Sequence, residues 1–425
     1  MDAATELSKF LEQRSVGQLV LDAVDYAICN GIVMRTRSKP TSSDVVQHAP
    51  FTLLPSPVPK NLYEQAISVQ KDFNFLMHAI SQDPEFMKSA FSTIIHSDDF
   101  TRRLFEIYET ALLEKPKKTA MAIIRSDYMF NKTDESEPSL KQIEVNMIAS
   151  SFGGIGTEKT RSLHDYTLRH AGFEDVATSL PQNKALQNLA QSIVNAWDLY
   201  GDNSAVIVFV ITDIENNIFD QRALEFRICE IQPDIVVKRY TLTQISELGD
   251  HDDDGNMVIN DQKVGFVYYR AGYSPDHYPS EKEWDARLLL ETSTAINCPC
   301  VAHQLVGAKK MQQILSQPNM VERFIKDRNS VKRIRDTFVG FYGLEMGSTG
   351  DESIQKVLQH PENYVLKPQL EGGGNNLYND EMVAKLKEVG EDDRRCSYIV
   401  MEKYVRCQCS LSSYGPKQAT TNQLL

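Results

Sequence analysis

An α/β fold behind a helical N-terminal region is predicted for this chain from three patterns. Residues 15–34 and 62–115 repeat apolar side chains at helical spacing. Residues 204–303 alternate apolar strands with a helix-like segment, which implies parallel strands joined by right-handed crossovers. Residues 364–378, YVLKPQLEGGGNNLY, join a short apolar strand carrying a lysine to a glycine triplet. The 425 residues, 41% apolar and 24% charged, suffice for two or three domains of an ordinary soluble protein.

The charge balance narrows the partners. Asp and Glu outnumber Lys and Arg by 58 to 45, a formal charge of −13 that repels a polyanion, so no nucleic acid is expected. The opening MDAATELSKFLEQ lacks a basic segment followed by an apolar one, and no apolar run reaches membrane-spanning length, so no membrane is expected either. Seven cysteines, an odd count without a framework spacing, predict free thiols in a reducing, cytoplasmic setting. Cys298/Cys300 and Cys407/Cys409 have C-x-C spacing, but neither pair has a second pair nearby to complete a zinc site.

Taken in order, residues 15–34 predict an amphipathic helix (Val16, Leu19, Val20, Ala23, Val24, Ala27, Ile28) stopped at Asn30-Gly31. The run APFTLLPSPVPK, with four prolines, predicts an extended connection, and 62–115 return to helix as scaffold. AMAII, ending in the polar RSDYMF, and LKQIEVN, ending in MIASSFGGIG, predict two buried strands that end in polar loops. In the second, Ile143 and Val145 are expected to face the core. Glu144 and Asn146 then share the other face, about 6.5–7 Å apart, and present oxygen to one point as a hard cation requires. Arg125 and Asp127 have the same two-residue relation, which suits either a fork for a substrate carboxylate or a plain surface ion pair.

In the 204–303 unit, ligands of such sheets sit beyond the carboxyl ends of the strands. That edge holds Arg270 and Tyr273 after VGFVYY, and Glu215, Asn217 and Gln221 after SAVIVFVIT. In YVLKPQLEGGGNNLY, Val365 and Lys367 share one strand face and Leu366 takes the other. Gly372, Gly373 and Gly374 let backbone N–H groups approach phosphate oxygens, and Glu371 suits Mg2+ shared with those phosphates. No G-x-x-x-x-G-K-[ST], complete G-x-G-x-x-G, H-E-x-x-H or G-x-S-x-G occurs, so P-loop, dinucleotide, zinc-protease and nucleophile-elbow readings have no support.

The segments RSDYMF, IEVNMIASSFGGI, NIFDQRA, YYRAGY, WDARLLLE, GAKK, VLKPQLEGGGNNLY and YIVMEK, in this order, resemble eukaryotic glutathione synthetase, an ATP-grasp ligase. The resemblance implies an ATP-grasp fold with an inserted parallel-sheet substrate domain. Its parts are 1–203 (helical and ATP-grasp), 204–303 (substrate-binding), 304–404 (nucleotide-binding) and an atypical, disordered tail, 405–425. It implies ATP-dependent joining of γ-glutamylcysteine to glycine through an acylphosphate, with Mg2+, by a homodimer. Motif by motif, it implies Glu144, Asn146 and Glu371 on Mg2+, and Lys309 and Lys367 on phosphates with Arg125 in catalysis. Gly372 to Gly374, Asn376 and Tyr378 would line the nucleotide site, with Met401, Glu402 and Tyr404 at the adenine. Arg125, Ser150, Ser151, Glu215, Asn217, Gln221, Arg270 and Tyr273 would bind the dipeptide.

The sequence departs from the family pattern at Ala149, where a serine is common, and at Ala271, where Arg-Asp-Gly-Tyr has its aspartate. After Tyr404 the family continues to an Arg-Thr-Lys segment and a Gly/Ala-rich lid, whereas this sequence reads RCQCSLSSYGPKQATTNQLL. The resemblance then predicts impaired activity. The alternatives are a working ligase, a non-catalytic dimerising or binding variant, or a ligase for another dipeptide.

Overall fold

The computed structural model describes residues 16–114, 119–131, 137–371, 374–403 and 413–414. The first helix, Gly17–Cys29, buries Leu19, Ala23 and Ala27 as its spacing predicts. Gly31 follows with φ +70°, a conformation that side chains with a Cβ disfavour. The proline-rich run is irregular apart from the strand Phe51–Thr52, which pairs antiparallel with Ser413–Tyr414, and it bends at Leu53–Leu54. Those two residues are the part of the expected disordered tail that is described, and they lie in a ladder. The rest of 405–425 lies outside the described residues, as do Gly372, Gly373 and Tyr404.

The helical scaffold is three helices, Lys60–Ser81, Pro84–Phe91 and Asp99–Glu114. The first break falls where Asp83 caps the second helix by accepting the Phe86 N–H at 2.9 Å, with Pro84 in the first turn. Phe73, Leu76, Ile80, Phe91 and Phe105 pack there with Val306, Met311 and Leu315 from the later helices Val301–Val306 and Lys309–Ser316.

Two expectations for the next region fail. Ala120–Ile124 is irregular, and the strand is Arg125–Asn131, the segment expected to be a loop; it pairs antiparallel with Ser139–Asn146. An apolar run marks burial, and the ladder forms where a partner strand runs alongside. The register also shifts between Asp127 and Tyr128, so the opposite strand carries an extra residue between Gln142 and Glu144. Gln142 and Val145 are therefore buried and Ile143 is only half-buried, contrary to strict alternation.

The middle unit is a six-stranded sheet with a parallel heart. Val206–Val210 pairs in parallel with Val237–Tyr240 and with Gln262–Tyr269, which pairs in parallel with Ile296–Cys298. Both faces are covered, so all of Val206–Val210 is buried. Ile207, Phe209, Phe266 and Tyr268 meet Leu186, Ile193 and Trp197 of helix Ala185–Tyr200 and Leu224 and Ile228 of helix Ile218–Ile231. Val206, Val208, Val267 and Tyr269 meet Ala286 and Leu290 of helix Glu281–Thr292 and Leu242 and Ile245 of helix Leu242–Leu248. One covering helix thus precedes residue 204, where the substrate unit is expected to begin.

The last unit is an antiparallel sheet ordered Phe341–Gly343, Tyr398–Glu402, Tyr364–Pro368, Leu377–Tyr378. Tyr364, Leu366 and Val400 sit over Ile354, Val357, Met382 and Leu386, leaving Val365 and Lys367 on the other face, as alternation predicts. Among the described residues no helix is long and apolar enough to cross a membrane.

Phe209 is wholly buried at the centre of the parallel sheet. Phe209→Ala is expected to cost about 3–5 kcal/mol, measured as a lowered urea midpoint with an unchanged slope.

Candidate ligand-binding and catalytic site

Two strand ends from different sheets meet. Lys367, 1% exposed, donates to the Ile143 carbonyl at 3.1 Å, which ties the strand Tyr364–Pro368 to the strand Ser139–Asn146. Burial pushes the Lys367 ammonium down to about 8, while Glu144, Glu371 and Asp127 act to raise it and Lys309 to lower it further. Burial pushes the Glu371 carboxyl up and Glu144 adds to this, against Lys309, Lys367 and Arg125. These mutual effects bring Arg125, Asp127, Glu144, Lys309, Lys367 and Glu371 into one charge cluster. Lys309 is 5% exposed and donates to the Leu370 carbonyl at 2.5 Å. Gln369 accepts the Lys310 N–H at 3.0 Å and so fixes the start of the Lys309 helix.

Arg125 lies in a bidentate pair with Asp127, at 2.8 and 2.9 Å, which raises its pKa. Of the two readings left open by spacing, the described state has the ion pair, half-buried beside the cluster. Asn146, opposite Arg125 in the ladder, donates its amide nitrogen to Asp127 at 3.1 Å and to the Arg125 carbonyl at 3.3 Å.

The second half of the site is built on the end of the parallel sheet. Arg270 follows the strand Gln262–Tyr269, 5% exposed, and donates to the Ala149 carbonyl and to the Ser151 hydroxyl, both at 2.7 Å. Asp220, on helix Ile218–Ile231, accepts the N–H groups of Phe152, Gly154 and Ile155 at 2.8, 2.8 and 3.0 Å and stands 3.8 Å from Arg270. The loop needs this support, because Ala149 and Phe152 hold φ of +51° and +70° without being glycines. It also needs Gly154, where a Cβ would stand 2.6 Å from the Asp220 carbonyl oxygen. Sequence reading missed Asp220: a carboxylate in a helix resembles a solvated position, and only its 4% exposure marks it out.

Glu215 accepts the Asn217 N–H at 2.7 Å and the Gln221 amide at 2.6 Å, and Gln221 accepts from Arg239 at 2.5 Å. Gln221, 1% exposed, is a brace beneath the edge. Burial raises the Tyr273 hydroxyl, and both Glu215 and Arg270 act on it, so all three share the edge. The Ser150 hydroxyl turns inward to the Ile123 and Asn146 carbonyls at 3.2 and 3.1 Å. Arg125 joins the two halves: its far nitrogen reaches the Ser151 carbonyl at 3.5 Å, and Asp220 acts on its charge.

The expected adenine edge is more occupied than the sequence suggests. Met401 is 4% exposed, and Tyr398–Glu402 pairs on both sides. The Glu402 N–H bonds to the Gly340 carbonyl at 2.9 Å, and its carboxylate accepts from Tyr342 at 2.5 Å. Asn376 is half-buried, Gly374 exposed with φ +91°, and Tyr378 exposed at the sheet edge.

This geometry stands in a chain whose residues 13–411 match the family model of the eukaryotic glutathione synthase ATP-binding domain. The chain belongs to the eukaryotic glutathione synthetase family. That family consists of ATP-dependent ligases of glutathione synthesis. Glutathione synthetase of Xenopus laevis is 44% identical over 383 residues, covering 90% of this chain and 80% of the relative. The Homo sapiens enzyme is 44% identical over 394 residues, covering 92% and 82%. A solved glutathione synthetase-like effector from Globodera pallida superposes with a TM-score of 0.74 at 26% identity, covering 95% of this chain and 84% of its own.

Asp220→Asn removes the charge that three backbone donors share. The variant is expected to lose about 1–3 kcal/mol of stability, and hydrogen exchange at Phe152, Gly154 and Ile155 should accelerate while the helices Lys60–Ser81 and Asp99–Glu114 keep their protection.

Proposed function

We propose that this site joins γ-glutamylcysteine to glycine with cleavage of ATP, through an acylphosphate. The carboxylate of the cysteinyl residue attacks the γ-phosphorus and ADP leaves. The glycine amine then attacks the acyl carbon, and phosphate leaves with the C–O electrons. The observation that carries this is the convergence of two buried lysines, Lys309 and Lys367, with the carboxylates Glu144 and Glu371 where two sheets meet. An anion attacking a polyanion needs its repulsion cancelled, and fixed cations at a water-poor strand end do that without reorganising.

Mg2+ fits the donor set of Glu144, Asn146 and Glu371, which is hard oxygen throughout. Among the described residues no group of three or more His, Cys, Asp and Glu side chains is placed to hold a metal ion. When bound, the ion would neutralise charge between carboxylate and phosphates. The raised Glu371 carboxyl, beside Glu144, is a like-charge pair that a cation relieves.

Lys309 and Lys367 hold the phosphates, and Gly372 to Gly374, Asn376, Tyr378, Met401, Glu402 and Tyr404 line the nucleotide. Arg125 takes the dipeptide carboxylate in the fork that grips Asp127 in this structure. Ser150, Ser151, Glu215, Asn217, Gln221, Arg270 and Tyr273 place the rest of the dipeptide. The reading extends to a homodimer in the cytoplasm, which rests on the family resemblance.

Two measurements test this. With 18O in the cysteinyl carboxylate of γ-glutamylcysteine, the released phosphate should carry label in step with glutathione formed; unlabelled phosphate overturns the acylphosphate. Lys367→Ala should lower kcat/KM by about 10²–10³-fold.

A pH dependence also follows from Lys367. Its ordinary value is 10.5 and its folded value about 8, so between these the unfolded chain holds a proton that the folded protein has lost. Its contribution to stability therefore rises with pH across that window. Phosphates favour the ammonium, so ATP binding at pH 8 should take up about half a proton and tighten as pH falls through 8. Calorimetry in two buffers of different ionisation enthalpy reads this, and Lys367→Ala should abolish the uptake.

A further inference from the structure

The turn after the strand Gln262–Tyr269 carries Arg270 and Tyr273, and its backbone is anchored at the glycine between them. Gly272 holds φ +91°, a conformation that favours glycine, and its carbonyl accepts from the Gln304 amide at 2.9 Å and from the Tyr278 hydroxyl at 3.2 Å. Its N–H donates to His277 Nδ1 at 3.0 Å. Ala271, beside it, is buried and has no polar side-chain group to share the task. Burial raises the Tyr278 hydroxyl, so it stays a donor, and the Gln304 amide does not titrate. His277 is the anchor of this turn whose charge can change near neutrality.

An imidazole nitrogen accepts a backbone N–H only with its lone pair free, so Nδ1 carries no proton here, Nε2 holds it, and the ring is neutral. Burial favours the same state, holding the ring below its ordinary value of 6.5, while the neighbouring Asp276 acts the other way. The same ring meets the Tyr273 ring edge to face, with centroids 4.6 Å apart. His277 therefore touches the Tyr273 side chain and also holds the backbone one residue before it. Of the other charged groups around this turn, Arg270 and Glu215 act on Tyr273, and Arg287 of the helix Glu281–Thr292 is engaged with Glu291 and the Tyr269 ring.

We infer that His277 is a positioning residue for the dipeptide edge: neutral, it fixes the Gly272 N–H and the Tyr273 ring together, and on gaining a proton at Nδ1 it releases that N–H. The inference rests on the proposed role of Tyr273 in binding γ-glutamylcysteine. An imidazolium has two N–H donors and no acceptor, so the Gly272 N–H would face a like donor and the turn would lose the anchor on its amide side. The folded value lies below 6.5, so the ring stays neutral at physiological pH and charges as pH falls through that lower value. Dipeptide affinity should weaken over the same interval. ATP, placed at Lys309 and Lys367, should not respond to His277.

An asparagine offers an oxygen where histidine offers Nδ1 and does not titrate, so His277→Asn separates the hydrogen bond from the proton. At neutral pH, His277→Ala should raise KM for γ-glutamylcysteine about fivefold and leave KM for ATP unchanged, and His277→Asn should restore most of the loss. As pH is lowered to about 5, the wild-type KM for the dipeptide should rise about fivefold relative to that of His277→Asn. Equal effects on both substrates, or one pH profile shared by the wild type and His277→Asn, overturns the inference.

Hydrogen exchange reads the anchor without ligase activity. The Gly272 amide of the full chain should exchange about fivefold faster in His277→Ala than in the wild type, and near the wild-type rate in His277→Asn. An unchanged rate in His277→Ala overturns the inference whatever the reaction. Tyr273→Ala separates the inference from the reading beneath it. If that variant raises the dipeptide KM and His277→Ala does not, the positioning role falls; if neither does, the dipeptide role of Tyr273 falls and takes the inference with it.

Discussion

A buried ammonium ties together the two strands that build the charge cluster. Lys367 has left water almost completely, and the Ile143 carbonyl is its fixed protein partner. An ammonium so placed is tolerated only where carboxylates surround it, which is why Glu144, Asp127 and Glu371 gather there. The same burial that makes the Lys367 charge costly makes its attraction to a neighbouring anion strong. Low dielectric magnifies attraction and desolvation alike.

The scaffold follows from where that cluster must sit. The parallel sheet, buried on both faces, gives Arg270 a rigid base at its carboxyl end, while the antiparallel sheet gives Lys367 and Glu371 theirs. Neither sheet could hold both. The irregular loop 147–154 spans the distance, and its left-handed residues are stabilised by one carboxylate, Asp220, rather than by repetitive structure.

Much of this was legible in the sequence because alternation and glycine are local signals. Val365 and Lys367 against Leu366, the Gly31 stop and the parallel strands all follow from spacing within a few residues. Two failures share a cause. Ala120–Ile124 meets the distant strand Ile296–Cys298 through the Met121 N–H without a regular ladder, and Ile143 lies beside a register shift that only the opposing strand, Arg125–Asn131, defines. Asp220 was unreadable for a stronger reason: its three donors lie 65 to 68 residues earlier in the chain. The Arg125–Asp127 pair was visible as a spacing, but whether it faces solvent or a ligand depends on Glu144, Asp220 and Ser151.

The bond between Lys367 and Ile143 joins residues 224 positions apart. Closing so long a loop gains nothing until the ends meet, so during biosynthesis the hairpin 125–146 must wait, half-assembled, until the strand bearing Lys367 has left the ribosome. Through that interval Glu144 lacks Lys367, while Asp127 already has Arg125 within the same hairpin. The charge cluster around Lys367 is thereby among the last parts of the molecule to mature, and a chain stalled before residue 367 would carry the Arg270 edge without it.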